Sequence, residues 1–252
     1  MIKRLPGAGL AILLLAGGSS RSEPPATTQW VLATAKATGR GGEEFVSALR
    51  VFNPSGSSAR VDLTYLAQSP LDATFAAGGD NRAAPKATLS VAPGETIALE
   101  DVLGTLFAGK EAPFGIPAGG IRVESDVPVS VLSRTFVANA RSASGVPGTQ
   151  GFAIPAQTAA QAVRAGEAAW LTFVSTSPSA ESGFRTNLIL LNTGETPAVA
   201  NVALVRGDGS LAGERDYTLA PAASAQQTDV GASFGVAGTG TNFRLAVRVR
   251  SG

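Results

Sequence analysis

The sequence predicts an all-β fold arranged as two tandem antiparallel β-sandwiches. Three observations predict it. Apolar residues alternate with polar ones at period two, turn-forming residues interrupt the alternation about every ten residues, and the pattern occurs twice along 252 residues. Val61, Leu63 and Tyr65 alternate with Asp62 and Thr64, and Leu245, Val247 and Val249 alternate with Arg244, Ala246, Arg248 and Arg250. Such alternation puts one set of side chains into a core and the other into water. The turn signals are Asn53-Pro54-Ser55-Gly56, Ala92-Pro93-Gly94, Asn192-Thr193-Gly194 and Asp208-Gly209.

The elements follow in order. Residues 1–18 read as a signal peptide. Lys3 and Arg4 supply the basic start, Leu10–Ala16 the apolar stretch, and Ala16-Gly17-Gly18 the small residues before a cut at Ser19. The apolar stretch is too short to span a bilayer, and no later apolar stretch approaches the ~18 residues a span needs, so no transmembrane anchor is expected. Residues 19–28 read as a linker and 29–140 as the first sandwich. Within it, Leu99–Phe107 is expected to hold one helical turn, and Asp126–Val137 one or two further strands after Ser125. Residues 141–168 read as a second linker, with a short helix near Ala156–Ala165. Residues 169–252 read as a second, incomplete sandwich. Asp208-Gly209 is expected to make a two-residue type I′ hairpin turn.

The repeat is collinear. Trp30 matches Trp170, Phe45 matches Phe184 and Asn53 matches Asn192, at separations of 140, 139 and 139. Val91–Gly94 matches Leu219–Ala222 and Asp101 matches Asp229, both at 128; Arg122–Ser125 matches Arg248–Ser251 at 126. The drop from 139 to 128 falls between Ala67 and Lys86, which reads as a longer surface loop in the first copy. The second copy stops at the serine that the first copy runs past, so it lacks one or two final strands. Either the reading frame is truncated, or a strand from another chain completes the sandwich. In the second case the protein is a strand-exchange oligomer, provided Gly252 is its natural end.

Leu49–Gly56 running on to Leu63, and Leu188–Gly194 running on to Val202, share a strand, an Asn-led turn and an alternating strand. This opening resembles bacterial extracellular immunoglobulin-like domains of the CARDB and related adhesion-module type. The resemblance covers about a third of each copy. It implies immunoglobulin-like sandwiches and a non-catalytic role in surface architecture or binding, and it transfers no functional residues.

Composition narrows the chemistry. The chain has no Cys and no His, which removes disulfides, thiolate nucleophiles, His-based triads, and zinc or haem sites that need those ligands. Without Lys3 and Arg4, 18 Lys and Arg face 19 Asp and Glu, so no nucleic-acid partner is expected. The carboxylate pairs Glu43-Glu44 and Glu100-Asp101 read as surface acids or caps, because neighbouring strand residues face opposite sides. Asp101 and Asp229 suggest repeated helix caps. Asp80, and Asp208 with Glu214 and Asp216, are the loop acids a calcium ion would use, without the spacing of a known loop motif. Arg206-Gly207-Asp208 spells a recognition tripeptide at a hairpin tip. Arg244, Arg248 and Arg250 form a cationic stripe suited to an acidic polymer or to edge protection. Trp30 and Trp170 are expected in the core. Exposure of both on one flat face would favour sugar binding. No catalytic residue, cofactor ligand or metal ligand is assigned. The expected function is adhesion, scaffolding or matrix outside the cell, with an extracellular protein or polysaccharide as partner. The alternative is an accessory module for extracellular polysaccharide.

Overall fold

A computed structural model describes residues 10–12, 24–39, 42–70, 79–110, 117–142, 144–177 and 185–252. The basic start and cleavage zone expected of the signal peptide, and Phe184, lie outside the described residues. The strands are β1 (Leu10–Ile12), β2 (Ala26–Thr38), β3 (Glu44–Phe52), β4 (Ala59–Pro70), β5 (Lys86–Val91), β6 (Thr96–Leu99), β7 (Ala118–Arg141), β8 (Pro147–Pro155), β9 (Ala168–Thr176), β10 (Leu188–Asn192), β11 (Ala198–Val205), β12 (Leu211–Leu219), β13 (Ser224–Gln227) and β14 (Gly240–Ser251). Two short helices, α1 (Val102–Leu106) and α2 (Val230–Ser233), and one 3-10 turn at Ala159–Gln161 complete the described elements. The chain is all-β, and the part of 19–28 from Ala26 onward is already strand.

The chain divides into two compact units. One is Ala16–Gln68 with Ala83–Ala160; the other is Gln161–Gly252 with Ser69–Arg82 and Met1–Leu15. In the first unit, β2 and β4 flank the front half of β7 and β5 lies beyond β4. The back half of β7 pairs with β3 and β8, and β6 lies beyond β3. The segment after Ser125, expected as separate strands, is therefore continuous with the strand before it. Pro128, lacking an amide hydrogen, marks where β7 leaves one sheet for the other. Residues 147–155, expected in a linker, form β8 of this unit. Both layers bury apolar side chains inward, among them Val31, Leu49, Val51, Leu63, Tyr65, Ile121, Val123 and Val131. Each contributes roughly 1.5–3 kcal/mol of burial. The arrangement is β-sandwich-like.

The second unit repeats this order. Its four-stranded sheet runs β12-β11-β14-β9, matching β5-β4-β7-β2. Its other layer is β13-β10-β1, with β10 in the position of β3. Register corrects the alignment of the last strand. Ile121 lies opposite Val31, and Leu245 opposite Leu171; Val123 lies opposite Leu63, and Val247 opposite Val202. Ile121 thus corresponds to Leu245, a separation of 124 rather than 126. The Arg-Val look-alike misled by two residues, an even slip that leaves every side chain on its own face.

The Asn-led turns have a structural cause. Asn53 is fully buried; its Nδ2 donates to Ser57 O at 2.7 Å and Val91 O at 3.0 Å, and its Oδ1 accepts from Ser55 N at 3.0 Å. Asn192, also fully buried, donates to Thr196 O at 2.8 Å and Ala220 O at 2.9 Å and accepts from Gly194 N at 2.9 Å. One amide thereby ties its own turn to the turn closing the neighbouring hairpin. That second turn needs a left-handed residue. Gly94 has φ +72°, and its counterpart Ala222 adopts φ +52°, a conformation that costs a residue with a Cβ roughly 1–2 kcal/mol.

The described end of the long connection, at Asn81, is tied down. Ser69–Arg82 belongs to the second unit. There Asn81, 8% exposed, donates from its backbone to Pro221 O at 3.2 Å and from Nδ2 to Ala222 O at 3.2 Å. The strained turn thus has its carbonyls satisfied by the inserted segment.

Candidate functional site

The four-stranded sheet of the second unit has an inner face and an outer one, set by the period of two. Ala200, Val202, Leu204, Leu245, Val247 and Val249 point into the core. The intervening residues therefore build the outer face. Cross-strand pairs place Glu214, Ala203, Ala246 and Trp170 in one row, and Asp216, Asn201 and Arg248 in the next. β9 is the terminal strand of this sheet.

Trp170 corrects the expectation that both tryptophans are core. Trp30 is 7% exposed and Trp170 is 50% exposed. Trp30 also carries an edge bridge: its amide donates to Gln157 O at 2.7 Å and its carbonyl accepts from Gln157 N at 2.8 Å. No such pairing is described at Trp170. Instead the Arg244 guanidinium lies 5.8 Å from the centre of its ring, within reach of a cation–π attraction. Beside it, two residues of β9 stand opposite one of β14, so Thr172-Phe173 form a bulge between Leu171 and Val174. Phe173 sits at φ +60° and is 88% exposed. A bulky residue in the left-handed region with its ring in water adds nothing to folding.

The arginine stripe is divided. Arg250 spans Glu214 and Asp216, at 3.3 and 3.2 Å. Arg244 is committed to the indole, and Arg248 has no described ion pair. Asn201, 1% exposed, donates to Asp216 Oδ1 at 2.8 Å while its own Oδ1 has no described partner. The face therefore offers an exposed aromatic ring, two guanidiniums not bound to carboxylates, and a carboxylate pair held by a third guanidinium.

The other candidate residues have local partners. Glu43 and Glu44 are exposed at the start of β3. Glu100 pairs with Arg50 at 2.5 Å. Asp101 accepts from Gly104 N at 2.8 Å, capping α1, and pairs with Lys36 at 2.6 Å. Asp229 caps α2 through Ala232 N at 3.2 Å. Asp80 is bonded by Arg82, which holds its carboxyl below the usual range. Among the described residues no cluster of three or more Asp or Glu converges.

The Arg206-Gly207-Asp208 tip is folded onto itself. Arg206 donates to Leu211 O at 3.0 Å, and Asp208 accepts from Ser210 N at 2.9 Å and Ser210 Oγ at 2.7 Å. These bonds, the backbone one first, hold the Asp208 carboxyl below its usual range. The turn is not type I′: only Gly209 has positive φ, +90°, and Arg206 N bonds Ser210 O across a three-residue loop.

No family model matches the chain, and no curated protein matches it. A solved structure described as the crystal structure of Thermotoga maritima 1070 is similar at 15% identity and TM-score 0.34, covering 52% of this chain and 93% of that chain. That likeness is too slight to assign a fold or a function.

Proposed function

We propose that the protein is a secreted, non-catalytic module of the cell surface or matrix, built of two immunoglobulin-like sandwiches. It holds extracellular polysaccharide through the outer face of β9 and β14. The observation that carries this reading is Trp170, half-exposed on the terminal strand of its sheet at the position where its counterpart Trp30 is buried. An indole that gains little from burial is suited to stack on a sugar ring, since its apolar face and polar N–H serve both parts of a carbohydrate. Arg244 and Arg248 favour an acidic chain, whose carboxylates they meet without displacing Glu214 or Asp216.

The test is retention on immobilised acidic and neutral polysaccharides. Wild type is expected to bind an acidic polymer in a salt-sensitive manner. Trp170→Ala should weaken binding at least about tenfold, the loss of one stacking contact of about 1.4 kcal/mol, and Arg248→Ala should reduce the salt dependence. Equal retention of wild type and Trp170→Ala, or no retention on any polymer, overturns the reading.

A further inference from the structure

The edge of β10 is a strand-acceptor site, and its occupant is written in the register. On β3, Phe52 lies opposite Ser130 and Val51 opposite Val131. On β10, Leu191 lies opposite Ala11 and Leu190 opposite Ile12. Leu191 is the counterpart of Phe52, and Leu190 of Val51, by the offset of 139 set at Asn53 and Asn192. Ala11 therefore holds the position of Ser130 and Ile12 that of Val131. Leu10, opposite Asn192, continues into the position of Val129. Both segments run antiparallel to their partner. Val129 and Val131 are 0% and 7% exposed, so the two positions that Leu10 and Ile12 take are those where the first unit uses apolar residues.

The receiving strand needs such a partner. Leu188-Ile189-Leu190-Leu191-Asn192 carries no charge, no proline and no glycine. It thus has none of the devices that protect a sheet edge from unwanted pairing. Its amides divide by side. Asn192 N donates to Ala223 O at 2.8 Å, toward β13. By alternation, the amides of Leu188 and Leu190 face β13 as well, and that of Leu191, opposite Ala11, faces β1. We propose that Leu10-Ala11-Ile12 is the closing strand of the second unit, bound to the β10 edge within the same chain. Leu10–Ile12, part of the apolar stretch of the expected signal peptide, then has a second role in the uncleaved chain: it covers an edge that cleavage at Ser19 exposes.

The experiment is residue-resolved hydrogen exchange on the full chain and on Ala11→Pro. Proline removes one amide and blocks strand pairing at a small residue. The expected result is a loss of protection of about tenfold or more at Leu191, with Leu188 and Leu190 unchanged. Unequal response of the two amide sets separates edge opening from general unfolding. A second variant uses the absence of native cysteine. Ala11→Cys with Leu191→Cys is expected to form an intramolecular disulfide, because paired residues on neighbouring strands lie within about 5.5 Å. Unchanged exchange at Leu191 in Ala11→Pro overturns the proposal. So does a disulfide found only between two chains, which would give the edge to a second copy.

Discussion

Trp30 and Trp170 occupy the same place in the two copies of the repeat, each two residues before a register shift in its strand, yet one is 7% and the other 50% exposed. A backbone bridge joins Trp30 to Gln157 in the first unit. Around the second, Arg244 is the described neighbour above the indole. The same residue is core in one unit and surface in the other.

This difference sets opposite mutational costs. Trp30→Ala is expected to lose about 3–5 kcal/mol of stability, as for other buried aromatics. Trp170→Ala should change stability by about 1 kcal/mol or less while weakening the proposed polysaccharide retention at least about tenfold. Urea unfolding of both variants beside the retention assay separates the two roles.

Asn53 and Asn192 are expected to behave alike. Replacing either with Ala strands buried carbonyls of two turns, at a cost of about 1–3 kcal/mol per site. Thermal unfolding of the two single variants checks this, and a cost confined to one copy would contradict the equivalence of their hydrogen bonds.

At Ala222 the strain is removable. Ala222→Gly is expected to stabilise the protein by about 0.5–1 kcal/mol, and Gly94→Ala to destabilise it by a similar amount. The opposite signs in denaturant titrations follow from the shared left-handed turn.

Asp208 carries a pH signature. Its carboxyl is lowered first by the Ser210 amide and then by the Ser210 hydroxyl. A depressed folded value stabilises the turn above the unfolded value, and that contribution is lost as pH falls through the folded one. Ser210→Ala should move the Asp208 titration upward toward its ordinary position, measured by carboxyl NMR shifts. An unmoved titration would mean that the hydroxyl contributes nothing.

A chain starting at Ser19 leaves Leu188–Asn192 without the strand it pairs with in the full chain. Such a chain is expected to associate with rising concentration, read by sedimentation velocity, whereas the full chain stays monomeric. A monomer at all concentrations in both would count against the edge as an acceptor.

Much of the fold was legible from residues alone. The period-two runs located β4, β11 and β14, because side-chain alternation is a local property of an extended backbone. The repeated aspartates foretold the caps of α1 and α2, since an N-cap needs only its own next three residues. Less local features were misread. Asp208-Gly209 looked like a two-residue turn, but side-chain bonds from Arg206 and Ser210 favour a three-residue loop. Ser69–Arg82 looked like a loop of the first copy because sequence order says nothing of where Asn81 finds carbonyls to bond.

By itself the sequence determined what depends on neighbours along the chain: the all-β class, the duplicated order of elements, the capping aspartates and the Asn-led turns. Tertiary structure alone decided what depends on partners far away. It set the two-residue correction in the last strand, because register is chosen by the facing strand. It decided which tryptophan is buried, because exposure depends on what packs above a ring. And it placed Leu10–Ile12 on β10, because an open sheet edge is satisfied by whichever apolar strand can reach it in register.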